Sequence, residues 1–253
     1  MEQFTDDELN SFQQDGFLIC HELVPAHYVA RMKDVAECDV RTGLGDIEYE
    51  ADVLYPGAPQ SLNVEGGRTI RRLRQAFSRD PVFASLVKEP FLLRRLQQLL
   101  GDRIVMPLVH HNCIMTKQPC YSSDTGWHQD IRYWSFERMD LINVWMALTD
   151  ESLTNGCLQL LRGTHVVTVD SGRVDQQLFL RTDLPDNQAC LDAAVTAEIS
   201  PGDVLFFHAR CFHSASRNYG DQTKYSAVFT FRNLDNTPLP GTRSASLPEL
   251  LLS

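Results

Sequence analysis

From residue 103 onward the chain is written in short apolar runs, and this texture limits its possible folds more than any other feature. Ile104-Val105, Asn112 to Met115, Leu141 to Leu148, Cys157 to Leu161, Val166 to Val169, Val204 to Phe207 and Ser226 to Phe231 are separated by turn residues. Runs of this length suit strands better than helices, and their spacing points to a sandwich or barrel. The preceding residues read differently. Phe4 to Leu9 opens a helix that Thr5 or Asp6 can cap, with Glu8 three residues after Thr5; Asp15-Gly16 ends it. Phe17 to Cys20 reads as a buried strand, Ala26 to Val40 as a second helix, and residues 68–100 as helix interrupted at Pro90. Residues 42–67 lack periodicity and are rich in Gly and Pro, so a lid or an entrance to a site is expected there. The expected architecture is mainly β with N-terminal helices: one domain over residues 1–253, a helical and lid region (1–102) buttressing a β core (103–235).

Composition enters as a set of exclusions. A formal net charge of -10 repels phosphate backbones, so no nucleic-acid partner is expected. Arg68, Arg71, Arg72, Arg74 and Arg79 form a local exception, either a solvated helix face or a clamp for an anionic substrate. Seven cysteines, odd in number and without CxxC spacing, fit a reduced intracellular chain. The N-terminus has neither the basic nor the apolar region of a signal peptide, and no run approaches the roughly 18 apolar residues of a membrane span. A cytoplasmic, monomeric protein acting on a small molecule, with no membrane partner, is expected.

The chemistry is carried by Gly126-Trp127-His128-Gln129-Asp130. In an extended strand, residues i and i+2 share a face, so His128 and Asp130 can offer one metal an imidazole and a carboxylate. Downstream, Pro201-Gly202-Asp203 makes a turn, Val204 to Phe207 a buried strand, and His208 and His213 supply two candidates for a second imidazole. Two histidines and one carboxylate on one face of an octahedron leave positions open, the arrangement of non-haem iron(II) oxygenases.

The motifs occur in an order that resembles the phytanoyl-CoA dioxygenase family of iron(II)/2-oxoglutarate oxygenases. Phe12 to Leu18 resembles that family's opening segment. His128-Gln129-Asp130, Asn155-Gly156-Cys157-Leu158, Gly163-Thr164-His165, Pro201-Gly202-Asp203 and His213-Ser214-Ala215-Ser216-Arg217-Asn218 follow in sequence. The resemblance implies a double-stranded β-helix, the cupin-like jelly roll, and a triad of His128, Asp130 and His213 as both catalytic and metal-binding residues. His208 becomes a packed neighbour. It also implies Fe(II), 2-oxoglutarate and O2, and hydroxylation of an unactivated C–H bond of a small molecule, with 2-oxoglutarate converted to succinate and CO2. Asp130 stands where related halogenases carry Gly or Ala, which favours hydroxylation over halogenation.

By the same resemblance, a cation anchors the far carboxylate of 2-oxoglutarate eleven residues past the distal histidine, where this chain has Lys224 in place of the usual arginine. A lysine offers a point charge and no planar fork. Lys224 is either that anchor or a solvated strand-edge charge; Arg232, of the same strand parity, is a second candidate and Arg217 a weaker one. Alignment with the family adds Cys113, Gln129 and Trp145 to the co-substrate pocket, with Lys117 near its mouth. Ala215 stands where the family often has Ser. One of His110 and His111, which face opposite ways along a strand, is expected to look inward. Specificity is expected from residues 42–67, the arginine run, and Ile131 to Met139 with its Tyr133, Trp134 and Phe136. Two other readings remain open at the level of sequence: a non-catalytic jelly-roll protein binding a metal or small molecule, and a cupin-like metalloenzyme that uses no keto acid.

Overall fold

The computed structural model describes residues 2–253. Helix α1 (Asp6–Asp15) starts where the Glu8 amide donates to the Thr5 hydroxyl and the Thr5 amide donates to the Glu8 carboxylate; Gly16, at φ 81°, ends it in the left-handed conformation. Strand β1 (Phe17–Cys20) and helix α2 (Ala26–Thr42) follow. Residues 42–67 are irregular except for β2 (Ile47–Tyr49) and the one-turn helix α3 (Glu50–Val53).

Residues 68–100 correct the expectation of helix interrupted only at Pro90. They form β3 (Ile70–Arg74), then α4 (Ala76–Arg79), α5 (Pro81–Leu86) and α6 (Pro90–Leu100). The reason lies in charge pairing over distance. Arg71 is buried, and its guanidinium lies 3.4 Å from Glu48 and 3.5 Å from Glu50, carboxylates brought in by β2 and α3. The arginine run is therefore no solvated helix face.

The β core comprises β4 (Ile104–Pro107), β5 (Asn112–Lys117), β6 (Thr125–His128), β7 (Leu141–Ala147) and β8 (Leu158–Leu160). After helix α7 (Pro185–Asp192) come β9 (Val195–Ala197), β10 (Val204–His208), β11 (His213–Ala215), β12 (Lys224–Asn233) and β13 (Glu249–Leu251). Val166 to Val169 is not a strand. Val166 and Val167 are exposed, and without a neighbouring strand a β-branched run has nothing to pair with.

The strands make two antiparallel sheets. The larger runs β1-β10-β7-β12-β5-β3-β2, with β4 joined to β12 and β13 to β4; the smaller runs β6-β11-β8-β9. Alternation along β7 shows how they stack. Val144 and Met146 face a core shared with Phe12, Met32, Phe83, Leu92 and Leu96 of the helices, whereas Trp145 and Ala147 face Leu158, Leu160 and Ala215 of the smaller sheet. Each fully buried phenylalanine, such as Phe206 or Phe229, contributes about 1.5–3 kcal/mol. The helices thus stiffen one face of the larger sheet, and the other face and the smaller sheet enclose the site. This is a jelly roll with helical buttressing.

Candidate metal centre and active site

His128 and His213 are direct cross-strand partners in the β6–β11 ladder, with ring centroids 4.2 Å apart. Asp130 follows at the first residue of a 3-10 turn, where the chain leaves β6. Its Oδ1 lies 3.6 Å from His128 Nε2 and its Oδ2 3.7 Å from His213 Nε2. One ligating atom from each of the three lies within 4.8 Å of the others, and all three residues are buried.

The surroundings prepare these side chains for a cation. His128 Nδ1 donates to the Gly126 carbonyl at 2.8 Å, and His213 Nδ1 to the Cys211 carbonyl at 3.1 Å. A carbonyl only accepts, so each proton sits on Nδ1 and each Nε2 lone pair faces the cluster. Burial, reinforced by the neighbouring His213, pushes His128 down to about 3, and burial lowers His213 too. Burial would raise the Asp130 carboxyl, but His111 and His213 beside it hold it well below the usual carboxylate range. Two neutral imidazoles and one ionised carboxylate are the donor set iron(II) takes. The residues present fit the metal.

Two neighbours complete the arrangement. Asn143 Nδ2 donates to Asp130 Oδ2 at 2.8 Å and its carbonyl oxygen accepts from the Thr230 hydroxyl at 2.6 Å. His111 is the inward histidine of its pair: its Nε2 is 3.1 Å from Asp130 Oδ2, and although burial opposes it, Asp130 raises it to about 9. His110 turns away to Ser244 and stacks on Trp134. Sequence reasoning missed Asn143, yet a signal was there: an amide in the middle of Leu-Ile-Asn-Val-Trp-Met-Ala, an otherwise apolar strand. His208 lies apart, 3.4 Å from Asp140 and stacked on His165.

Two cavities meet at the cluster and share Arg71, Arg72, His111, Thr125, His128 and Asp130 in their walls. The inner one runs between the sheets past Trp145, Leu158 and Phe207 to Lys117 and Lys224. Lys224 is fully buried, with Nζ 2.8 Å from Glu151 Oε2 and 5.0 Å from the Trp145 ring centre. Glu151 is held by Trp145 Nε1 at 2.9 Å and the Ser226 hydroxyl at 2.6 Å. No local pattern announces Glu151 as this partner. Lys117 Nζ donates to the carbonyls of Ser123 and Ser216, and burial, with the charges of Arg71 and Lys224, pushes it down to about 7. Gly156 makes this packing possible, since a Cβ there would stand 2.3 Å from the Ser216 carbonyl and 3.2 Å from the Lys117 side chain.

Other expected co-substrate residues lie elsewhere. Gln129 points to the opposite side from its neighbours and donates to the Arg210 carbonyl. Arg232 pairs with Glu249 and with the carbonyls of Asn233 and Leu234. It shares parity with Lys224, but eight residues of strand carry it about 26 Å farther along. Arg217 is bound to Asp124. Cys113 is buried in the apolar layer beside Trp145 and does not line the inner cavity.

The outer cavity, of about 190 Å³, is bordered by Val53 and Tyr55 from the expected lid and by Tyr133 and Trp134 from the segment after the triad. Phe136 is instead buried with Ile131, Leu141 and Ala209.

Comparison with known proteins matches residues 12–226 to the profile of the family described as Phytanoyl-CoA dioxygenase (PhyH). The ectoine dioxygenase of Streptomyces avermitilis is 24% identical over 98% of this chain and 85% of its own length. The peroxisomal phytanoyl-CoA dioxygenase of Homo sapiens is 24% identical over 85% of this chain and 64% of its own. Among solved structures, the epimerase SnoN in complex with Fe3+, alpha ketoglutarate and nogalamycin RO superposes with TM-score 0.75 at 18% identity, covering 96% of this chain and 90% of that one. EctD from S. alaskensis with 2-oxoglutarate and 5-hydroxyectoine gives 0.74 at 18% identity, covering 97% and 82%. These likenesses agree with the jelly-roll fold.

Proposed function

The chain belongs to the phytanoyl-CoA dioxygenase family, and from that premise we propose that His128, Asp130 and His213 hold the iron of an enzyme that hydroxylates an unactivated C–H bond of a small molecule. The protein is an iron(II)- and 2-oxoglutarate-dependent dioxygenase. Bound iron and keto acid supply activation of O2, with oxidative decarboxylation of 2-oxoglutarate to succinate and CO2 coupled to oxidation of the substrate. The observation that carries the residue assignment is the buried convergence of two Nε2 atoms and one carboxylate within 4.8 Å.

The chain's own residues do the rest. Nδ1–H bonds to Gly126 and Cys211 aim both imidazoles, and Asn143 with His111 holds the free side of Asp130. Trp145, Leu158 and Phe207 keep water out of the inner cavity. At its closed end stand two ammonium groups, Lys117 and Lys224, and one carboxylate, Glu151. Lys224, which lines this end of the cavity beside Lys117, is the cation assigned to the far carboxylate of 2-oxoglutarate. Asp130 supplies the carboxylate that favours hydroxylation.

The reading carries with it a cytoplasmic monomer without a nucleic-acid partner, supported by the net charge of -10 and by cysteines that are all unpaired. Among the described residues no helix is long and apolar enough to cross a membrane. Residues 1–253 act as one unit, which the core shared by helices and larger sheet supports. Succinate formation tests the function: iron(II), 2-oxoglutarate and O2 give succinate with the wild type and none above background with Asp130→Ala. Equal succinate from both proteins would sink the assignment.

A further inference from the structure

The outer cavity has an imbalance of charge that the reaction does not explain. Four guanidinium groups line it, from Arg71, Arg72, Arg132 and Arg243, against two carboxylates, Glu48 and Asp130. Asp130 belongs to the metal cluster, so Glu48 alone remains to face the arginines. In a chain of net charge -10 this is a local reversal of sign.

The four arginines are not equivalent. Arg71 is consumed by structure, between Glu48, Glu50 and the hydroxyls of Ser123 and Thr125. Arg72 is different: its Nε lies 3.3 Å from Glu48 Oε1 without hydrogen-bond geometry, and that carboxylate is also claimed by Arg71 and by Arg74 at 2.8 Å. Among the described residues the Arg72 guanidinium donates no hydrogen bond, although its side chain is only 29% exposed. Arg132 donates to the Gln177 carbonyl and the Tyr55 hydroxyl, lies 4.1 Å from the Phe179 ring centre, and has no carboxylate partner among the described residues. A half-buried guanidinium whose only ionic partner faces its Nε, and whose terminal nitrogens donate to nothing among the described residues, can grip a two-oxygen anion.

The walls and size narrow the occupant further. Tyr133 and Trp134 offer aromatic faces beside the arginines in this cavity of about 190 Å³. We infer that the substrate is a small organic acid, a carboxylate or phosphate monoester, whose anionic group is held by the Arg72 fork with Arg132 beside it and whose carbon skeleton lies along Trp134 toward the triad. The inference rests on the oxygenase reading and adds the substrate class. An acid so held presents a carbon near the metal, because Arg72 lies in the same shared wall as His128 and Asp130.

The test is calorimetric titration of the protein loaded anaerobically with iron(II) and 2-oxoglutarate, and separately of the metal-free protein. The probes are small aryl and alkyl carboxylic acids and phosphate monoesters, each matched with its neutral amide or alcohol. A charge-assisted contact predicts that at least one acid binds roughly tenfold to a hundredfold tighter than its neutral mate. Arg72→Gln removes most of that preference, Arg72→Lys keeps part of it, and Arg132→Gln reduces it, with thermal unfolding confirming that each variant is folded. Which series binds tells carboxylate from phosphate. The inference is overturned if neutral mates bind as well as acids, if the preference survives in Arg72→Gln, or if no acid binds at millimolar concentration. Failure of the oxygenase reading is told apart by the visible charge-transfer band of the loaded protein, which does not depend on the probes.

Discussion

Lys224 Nζ lies 2.8 Å from Glu151 Oε2 at the closed end of the inner cavity, so the cation proposed to anchor 2-oxoglutarate already has a buried counter-charge. Removing either partner alone leaves an uncompensated charge indoors, which costs about 3–5 kcal/mol. Lys224→Met is therefore expected to lose both stability and keto-acid affinity. The double variant Lys224→Met/Glu151→Gln separates the two: stability largely returns, while KM for 2-oxoglutarate stays roughly tenfold or more above wild type. Recovery of KM in the double variant would move the anchor elsewhere, with Lys117 the next candidate.

Asn143 steadies the metal carboxylate through Asp130 Oδ2 and is itself fixed by Thr230. Asn143→Ala is expected to weaken iron(II) binding about 10–100-fold, as loss of a group that orients a ligand does. It also costs about 1–3 kcal/mol of stability, because the Thr230 hydroxyl loses its buried acceptor. Titration of metal-free protein with iron(II) reads the first effect and thermal unfolding the second. An unchanged dissociation constant would mean that Asp130 needs no such support.

In the metal-free protein two histidines push stability in opposite directions as pH changes. Burial and His213 hold His128 at about 3 in the folded chain, against about 6.5 when unfolded. Its contribution is present above about 6.5 and is lost as pH falls toward 3, since only the unfolded chain takes the proton. His111, which Asp130 raises to about 9 against its burial, does the reverse: its contribution is complete below about 6.5 and is lost as pH rises through 9. Relative to wild type, His111→Gln should gain unfolding midpoint as pH rises from about 6.5 through 9. A variant that tracks the wild type across that range would refute the pairing.

Features set by near neighbours were legible in the sequence. The Thr5–Glu8 capping box, the Gly16 stop and the short strands of the β core all follow from rules that act over a few residues. The His-x-Asp step was legible as well, and the family's motif order singled out His213 over His208; the pairing of β6 with β11 brings His213 beside His128. What escaped depends on partners far away in the chain. Ile70 to Arg74 looks helical because arginine is a good helix former, yet it is a strand whose inward Arg71 is made tolerable by Glu48 and Glu50. Strand parity made Arg232 resemble an anchor, but only the extent of β12 shows that it ends beside Glu249. Glu151 could be recognised as the companion of Lys224 only once β12 and β7 lay side by side.

The most direct measurement of the metal and co-substrate assignment is a visible spectrum recorded without oxygen, as iron(II) and then 2-oxoglutarate are added to the metal-free protein. The expected result is a charge-transfer band that appears only when both are present, is absent in His213→Ala, and needs more 2-oxoglutarate to form in Lys224→Met/Glu151→Gln. No band from the wild type at millimolar 2-oxoglutarate, or an undiminished band in His213→Ala, would contradict it.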